Sequence, residues 1–531
     1  MNKKIISLLL AVIMAVSLLA ACGQSAQTGG ATTAATTAAQ TTAAAATTQA
    51  ATTTTTAKAE PDLPFVELNF YFMGEVGNDM DEFHAIFDEW TLRDFNCKVN
   101  FKHANTWIDY AAKYNLMLTA DDTIDLCYAA NWIDFYSYAK KDAFEDITDL
   151  LPQYCPDIWA AFPRDQFNGA TVNGKIYGVP QKWTNYHGEN FVYREDLRKK
   201  YDVPEIDLSW ESMETYMQTI LENEEFPFAI TYQYNNPVSH YLAHLTKYDG
   251  IDNTAIAMIS ERGTKNTMMY YDDPSYVDFA RRMKRWCDLG FWSKSILATA
   301  DSTDHGDLFK EELIFVTLNS HVDRFQGIAE DAAKDHPDWE IGAIPLATLK
   351  NVFYHTRMAQ DLTCIPNGSK NPERALMVFN KMMMDPEYYE LVMYGMKGLN
   401  FNLDGDGYVT YEGIDTTARR FDLCLWAMRN EDLAFPVARN WDRKSLYEDK
   451  WFPKLVFDPF DGFAIDLENI QAEHTALNQV MKEYADPIQF GIVPDPDGAV
   501  ETLRQKMKEA GVDKFKAEID KQLSAYLDSK G

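Results

Sequence analysis

Asn168-Gly-Ala-Thr-Val-Asn-Gly-Lys-Ile-Tyr-Gly-Val-Pro180 is the stretch from which the architecture of this 531-residue chain can be read. Asn173-Gly174 is a two-residue turn signal, because both residues tolerate positive φ. Ile176, Tyr177 and Val179 then have the character of a short β-strand, and Pro180 ends it by removing a backbone donor. The chain leaves that strand as Gln181-Lys-Trp-Thr-Asn-Tyr-His187, a run of polar and aromatic side chains. In an open α/β sheet, the loops beyond the carboxyl ends of the strands are where ligands are held.

Upstream, Val66 to Phe72 alternates as a strand, and Met80 to Arg93 carries Phe83, Ile86, Phe87 and Trp90 at helical spacing. Cys97 to Phe101 forms a second strand, Tyr110 to Thr119 a helix, and Asp125 to Ala129 a third strand. Strand, helix, strand, helix, strand predicts an α/β fold with a parallel sheet and right-handed crossovers. The loops after Phe72 (Glu75) and after Ala129 (Asn131, Trp132) then fall at the same edge as the loop after Val179 (Gln181, Trp183). Downstream the pattern restarts. Glu189 to Tyr193, Phe228 to Tyr232 and Glu312 to Leu318 are strands, Glu340 to Pro345 closes that lobe, and Ser209 is an N-cap for the helix that follows it. Tyr234 and Asn235 leave one of these strands, and Asn319 and His321 leave another. Met358 to Ile365 is a returning strand, Asn371-Pro-Glu-Arg opens a helix to Met384, and Glu468 to Tyr484 and Val500 to Leu527 are the clearest late helices.

A chain this long exceeds a single core and calls for two or more lobes. Its formal charge of −31 opposes nucleic acid or an anionic surface as partner. Aromatic residues make up 13%, and flat rings with polar handles suit both cores and sugar faces. Lys3 and Lys4 precede the apolar run Ile5 to Leu19, which is short for a membrane span, and Leu19-Ala-Ala-Cys22 follows. That is the form of a secretory signal, and its end resembles a lipobox that would lipidate Cys22. Residues 23–60 are Ala, Thr and Gln with almost no large apolar residue, so they form a tether. The other six cysteines contain no Cys-x-x-Cys pair, and Cys127 and Cys424 lie in apolar runs as small hydrophobes, so no disulfide is assigned.

Gly169-x4-Gly174-Lys175 approaches a phosphate-binding loop, but Ile176 stands where the magnesium-holding hydroxyl belongs, and the Asn-Gly turn accounts for both glycines. Asn402-Leu-Asp404-Gly-Asp406-Gly407-Tyr408-Val409-Thr410-Tyr-Glu412-Gly413 spaces oxygens as an EF-hand loop does. Asp404, Asp406, Tyr408 and Glu412 are its candidate calcium ligands, yet Glu412 falls one residue early and an Asp-Gly hairpin explains the same residues. Neither Gly-x-Ser-x-Gly nor His-Glu-x-x-His occurs. Asp458 with Asp461, or Glu75 with Glu189, could be placed across a glycosidase cleft, but among 80 acidic residues such pairs arise by chance. The stronger constellation is aromatic: Trp132, Trp183, Tyr186 and Tyr234 leave strands beside Asn131, Gln181, Asn185 and His321. Rings for CH faces and amides for hydroxyls are what a sugar site requires.

Several of these segments stand in the order found in family 1 extracellular solute-binding proteins of bacterial ABC transporters, the group that carries sugars and oligosaccharides. The resemblance is carried by the lipobox, Gly174 to Pro180, Leu208-Ser-Trp210-Glu211, the strand before Asn319, Ile341 to Pro345 and Asn371 to Arg374. Tyr394 to Gly398, Ala510 to Lys514 and Glu518 to Gln522 are similar to a lipoprotein subgroup with an extra C-terminal region. Lys310-Glu-Glu312 and Thr317-Leu318 depart from the Gly and Met usual there. The resemblance implies a two-lobe fold of the periplasmic-binding-protein kind, with a ligand cleft between lobes joined by crossing hinge segments. Residues 1–22 would be the signal peptide, 23–60 the tether, 61–185 and 352–400 the first lobe and 186–351 the second. Residues 401–531 would pack mainly on the second lobe. Glu75, Asn131, Trp132, Gln181 and Trp183 would grip the ligand from the first lobe, and Tyr234, Asn235, Asn319 and His321 from the second. The expected protein is a monomeric, non-catalytic receptor, lipid-anchored on the outer face of the cell membrane. Its partners are an oligosaccharide and the permease subunits; it needs no cofactor, calcium being the one candidate ion, and meets the bilayer through its anchor only. The competing readings are a surface glycoside hydrolase or lyase, and a peptide or polyamine receptor on the same fold.

Overall fold

The computed structural model describes residues 63–530 except 75, 105–106, 120–123, 185, 233–236, 252, 299–304, 320–327, 330–331, 333–335, 337, 424 and 437–447. The signal-like segment, Cys22 and the tether therefore lie outside the described residues. The strands that frame the molecule are β1 (Val66–Met73), β2 (Cys97–Ala104), β3 (Leu126–Ala129), β4 (Gly178–Pro180), β5 (Tyr186–His187) and β6 (Asn190–Arg194). They are followed by β7 (Ile230–Thr231), β8 (Val316–Asn319), β9 (Ile341–Pro345), β10 (Phe353–His355), β11 (Leu362–Cys364) and β12 (Leu455–Val456).

The first sheet has the order β2-β1-β3-β11-β4. The helix Met80–Phe95 buries Phe83, Phe87, Thr91 and Phe95, a four-residue spacing that lays one face on this sheet. It ends at Asn96 in the left-handed region (φ 48°), a short polar residue that tolerates this turn into β2. The Phe83 and Phe87 rings stand 5.5 and 5.2 Å from Phe101 on β2. Each such fully buried ring contributes about 1.5–3 kcal/mol. β1, β2 and β3 are parallel, as expected, but β11 returns antiparallel to β3 and to β4, so the sheet is mixed. The returning strand is also shorter than Met358 to Ile365. The Ile176–Val179 strand is divided: Thr171–Val172 and Lys175–Ile176 pair around Asn173 (φ 52°) and Gly174 (φ 80°), and only β4 joins the main sheet.

The second sheet has the order β9-β6-β8-β7, with β6 antiparallel to both β8 and β9. Glu312, expected within a strand, turns at φ 57° before β8 begins at Val316. The C-terminal helices Pro496–Glu509 and Val512–Lys530 belong to this lobe: Val500, Leu503, Phe515 and Ile519 sit in its core. Arg504 donates to the Tyr271 carbonyl (2.7 Å), and Trp292 Nε1 to the Phe490 carbonyl (2.9 Å). Gly491 (φ 64°) fits against Met283, where an added Cβ would come within 2.1 Å of a carbonyl oxygen.

Two large hydrophobic cores result among the described residues, with two small clusters beside them. One gathers residues from Leu68 to Val179, Ala359 to Met393 and Leu423 to Met428; the other gathers Phe191 to Leu346 and Phe460 to Leu523. Leu423, Ala427 and Met428 thus pack on the first core, so the segment after 401 does not follow the second lobe as a block. The chain passes between the cores three times, and each passage carries one strand of a small sheet ordered β12-β10-β5. Tyr354 on β10 donates to Asp249 (2.8 Å), and Arg357 just beyond it donates to Asp458 (3.0 Å) and to the Ile251 carbonyl (2.8 Å).

Candidate functional site

Leu362 pairs with both Ala129 and Pro180, so the entry to β11 lies between the exits of β3 and β4. Three segments meet there. The Asn131 amide donates to the Ala359 carbonyl (2.8 Å) and Trp132 Nε1 to the Gln360 carbonyl (3.1 Å). Gln181 Nε2 donates to Asp361 Oδ2 (2.9 Å), while the Tyr128 hydroxyl donates to Asp361 Oδ1 (2.7 Å). Asp361 is buried and acts as the acceptor around which the two exits are arranged. The remaining Gln181 oxygen, Oε1, is buried without a hydrogen-bond partner. A buried acceptor left so costs about 1–3 kcal/mol and calls for a donor.

Trp183 lies two residues further along. Its segment is held by a second strand-like run: Lys182 N–H donates to the Arg429 carbonyl (2.8 Å), Glu431 N–H to the Lys182 carbonyl (2.9 Å), and Thr184 N–H to the Glu431 carboxylate (2.9 Å). The Arg429 guanidinium stands 5.5 Å from the Trp183 ring centroid. Tyr186, counted in the sequence among the ring residues leaving strands, is instead buried in the connecting sheet with its ring 5.7 Å from Phe353.

In the second lobe, Asn319 pairs with Asn190, and Pro345 pairs with the same residue, so the end of β8, the start of β6 and the end of β9 share one edge. Glu189 sits at that edge. Its Oε2 is buried without a partner, and burial pushes its carboxyl up to about 7 against a hydrogen bond from Ser239. The side chain of Asn319 and all of Glu75, Asn185, Tyr234, Asn235 and His321 lie outside the described residues. Of the sequence-derived set, the structure thus brings Asn131, Trp132 and Gln181 onto one segment, residues 359–361, while Trp183 stands against Arg429.

The loop with calcium-ligand spacing is a hairpin: Asn402–Leu403 pairs with Val409–Thr410, and Gly407 takes φ 88° at the turn. Asp404 Oδ1 accepts the amides of Asp406 (2.9 Å) and Tyr408 (3.1 Å), and Glu412 is exposed. Among the described residues no three His, Cys, Asp or Glu side chains converge on a metal position. The turn chemistry accounts for this loop without an ion. Asp458 and Asp461, paired in sequence as carboxylates across a cleft, lie where the lobes connect, and Asp458 is held by Arg357.

Sequence reasoning missed Gln360, Asp361, Arg429 and Glu431. The first two were absorbed into an overlong strand; the only signal was that a return strand's entry loop must land on the same edge as its neighbours' exits. Arg429 and Glu431 come from a segment some 250 residues away, with no local pattern.

Two α/β lobes joined by three strands, with polar and aromatic strand exits at a shared edge, define a two-lobe binding protein. The model for bacterial extracellular solute-binding proteins matches residues 85–404, more than half of the chain, and the chain belongs to that family. A domain of unknown function, DUF3502, matches residues 459–528. A carbohydrate ABC transporter substrate-binding protein from Streptococcus pneumoniae is 25% identical over 490 residues, covering 88% of this chain and 92% of that protein. The crystal structure of NgtS, an N-glycan transport solute binding protein of S. pneumoniae, superposes with a TM-score of 0.72 at 20% identity, covering 88% of this chain and 100% of that one. Its complex with Man5GlcNAc gives 0.63 at 21%, covering 88% and 99%. An EF-hand mutant of the S. pneumoniae substrate-binding protein FusA with fructo-nystose gives 0.58 at 14%, covering 87% and 100%. These likenesses confirm the α/β two-lobe fold. As a family of substrate-binding proteins they also set aside the hydrolase reading. Among the described residues no helix is long and apolar enough to cross a membrane.

Proposed function

We propose that this protein is the receptor of an ABC importer, that it captures a neutral oligosaccharide between its lobes, and that it hands the sugar to a membrane permease. The observation that carries this is the Gln181 oxygen, a buried acceptor without a partner at the edge where three strand segments meet, in a stretch of chain that also brings Trp132 Nε1 onto the Gln360 carbonyl. A ligand rich in hydroxyl donors and CH faces satisfies both features. The relatives' carbohydrate ligands point the same way, and they recommend mannose–N-acetylglucosamine glycans as first probes. Leu19-Ala-Ala-Cys22 and the 23–60 tether support lipid anchoring at the outer membrane face, within reach of the permease.

Calorimetric titration with Man5GlcNAc, other oligosaccharides, peptides and polyamines tests the reading. Gln181→Ala and Trp183→Ala should each weaken binding by about tenfold or more, from a lost buried hydrogen bond or ring contact. Binding of a peptide or polyamine in place of every glycan would refute it. For the 402–412 loop, whose turn is complete without an ion, the expectation is that calcium and EDTA leave the melting temperature unchanged. A calcium-dependent rise abolished by Asp404→Asn would instead assign an ion to the loop.

A further inference from the structure

A cleft of about 850 Å³ opens beside the strand-exit cluster, within the range of small-molecule sites. One wall is Asn131 and the helix Phe135–Lys140 that follows it, presenting Tyr136 and Lys140. The other wall comes from the second lobe: Asp466, Gln471 and His474, at the start of the region matched by the domain of unknown function. Asn131 lines this cleft and also donates its amide to the Ala359 carbonyl in the strand-exit cluster, so the cleft borders the candidate site at that residue.

The second wall is firmly placed. The Asp466 amide donates to Gln522 Oε1 (2.7 Å), and Gln522 Nε2 donates back to the Asp466 carbonyl (2.8 Å), clamping the segment to the last helix. Ile465 and Leu467 pack on the second core, and the Phe463 ring stands 5.3 Å from Tyr526. Lys140 Nζ reaches from the first wall to the Ala464 carbonyl (3.3 Å). The charges are mixed, with Lys140 and Lys141 against Asp134, Asp466 and Glu468, so no single-sign field selects an ion. Burial lowers the His474 imidazole while Asp134 pulls the other way, so at neutral pH it both donates and accepts. A half-buried tyrosine ring among amides and a neutral imidazole matches a chain of sugar hydroxyls better than a phosphate or a cation.

We infer that residues 464–474 form one wall of an extended carbohydrate subsite, which receives the sugars of a longer neutral oligosaccharide beyond those held at Trp132 and Gln181. The domain of unknown function thereby acquires a role, since its first residues make the receptor selective for chain length. The inference rests on the oligosaccharide-receptor reading above.

The test compares a mannose–N-acetylglucosamine disaccharide with Man5GlcNAc by calorimetry on the purified protein. The double variant Gln471→Ala/His474→Ala should weaken Man5GlcNAc binding about tenfold, equivalent to about 1.4 kcal/mol, and leave the disaccharide within about twofold of wild type. Wild-type affinity for both glycans overturns the inference, and so does an equal loss for both. If Gln181→Ala abolishes binding while the double variant changes nothing, the receptor reading stands and only the extension falls. If the wild-type protein binds other oligosaccharides but neither of these glycans, the extension as stated here falls alone; if it binds a peptide or polyamine in place of every glycan, both fall. As a readout free of mutation, saturating Man5GlcNAc should slow amide exchange in residues 134–141 and 465–475 more than the disaccharide does; equal exchange under the two ligands overturns the inference.

Discussion

Gln181 and Glu189 each keep one side-chain oxygen buried without a hydrogen-bond donor, one at the exit of β4 and one at the entry to β6. For Glu189 the consequence is a pH dependence. Its carboxyl titrates near 4.5 when unfolded, and burial raises it to about 7 in the fold. Below the unfolded value both states are protonated and the residue costs nothing. Between the two values the unfolded state gives up this proton while the native state, where the charge would be poorly solvated, keeps it, so stability falls with rising pH until the loss levels off above about 7. Glu189→Gln should therefore raise the melting temperature little near pH 4.5 and increasingly up to about pH 7. A constant offset between variant and wild type across that window would reject this. Legibility at this scale was uneven. Asn173-Gly174 announces its own positive φ angles because the preference is intrinsic to those two residues. No comparable signal marks Asp361, whose partners Tyr128 and Gln181 lie 233 and 180 positions away.

Local elements followed their sequence patterns wherever one face is buried. The Met80–Phe95 helix shows its four-residue spacing, and Ser209 caps the helix Trp210–Asn223, its Oγ accepting the Ser212 amide at 3.2 Å. Strands near the lobe connections did not. β11 was overread because apolar residues around it are buried for reasons other than strand pairing, and the connecting sheet is built from pieces of two or three residues, too short for a period to show. That connection also carries an ion pair that should matter. Arg357 and Asp458 are largely buried, with 14% and 9% of their side chains exposed. Arg357→Ala leaves the carboxylate without its counter-charge, and chemical denaturation should show a loss of about 3–5 kcal/mol. A loss below about 1 kcal/mol, typical of exposed pairs, would show that solvent screens this one.

For the molecule as a whole, three short strands between two separate cores leave relative movement of the lobes as the soft degree of freedom. A ligand touching both lobes favours the closed arrangement, since only there are all its contacts made. Small-angle scattering should therefore show a smaller radius of gyration with bound glycan than without. Identical profiles at saturation would mean that the sugar is held by one lobe alone.

The α/β character, the carboxyl-edge loops and the Asn-Gly hairpin were all present in the sequence, because each depends on intrinsic turn preference or on a period of two or about four residues. The antiparallel return of β11, the meeting of Asp361 and Arg429 with the loop after β4, and the placing of Leu423, Ala427 and Met428 on the first core came only from the tertiary structure. Those contacts join positions tens to hundreds of residues apart, and which of many equally apolar or polar segments meet is decided by packing the whole chain at once, not by any local preference.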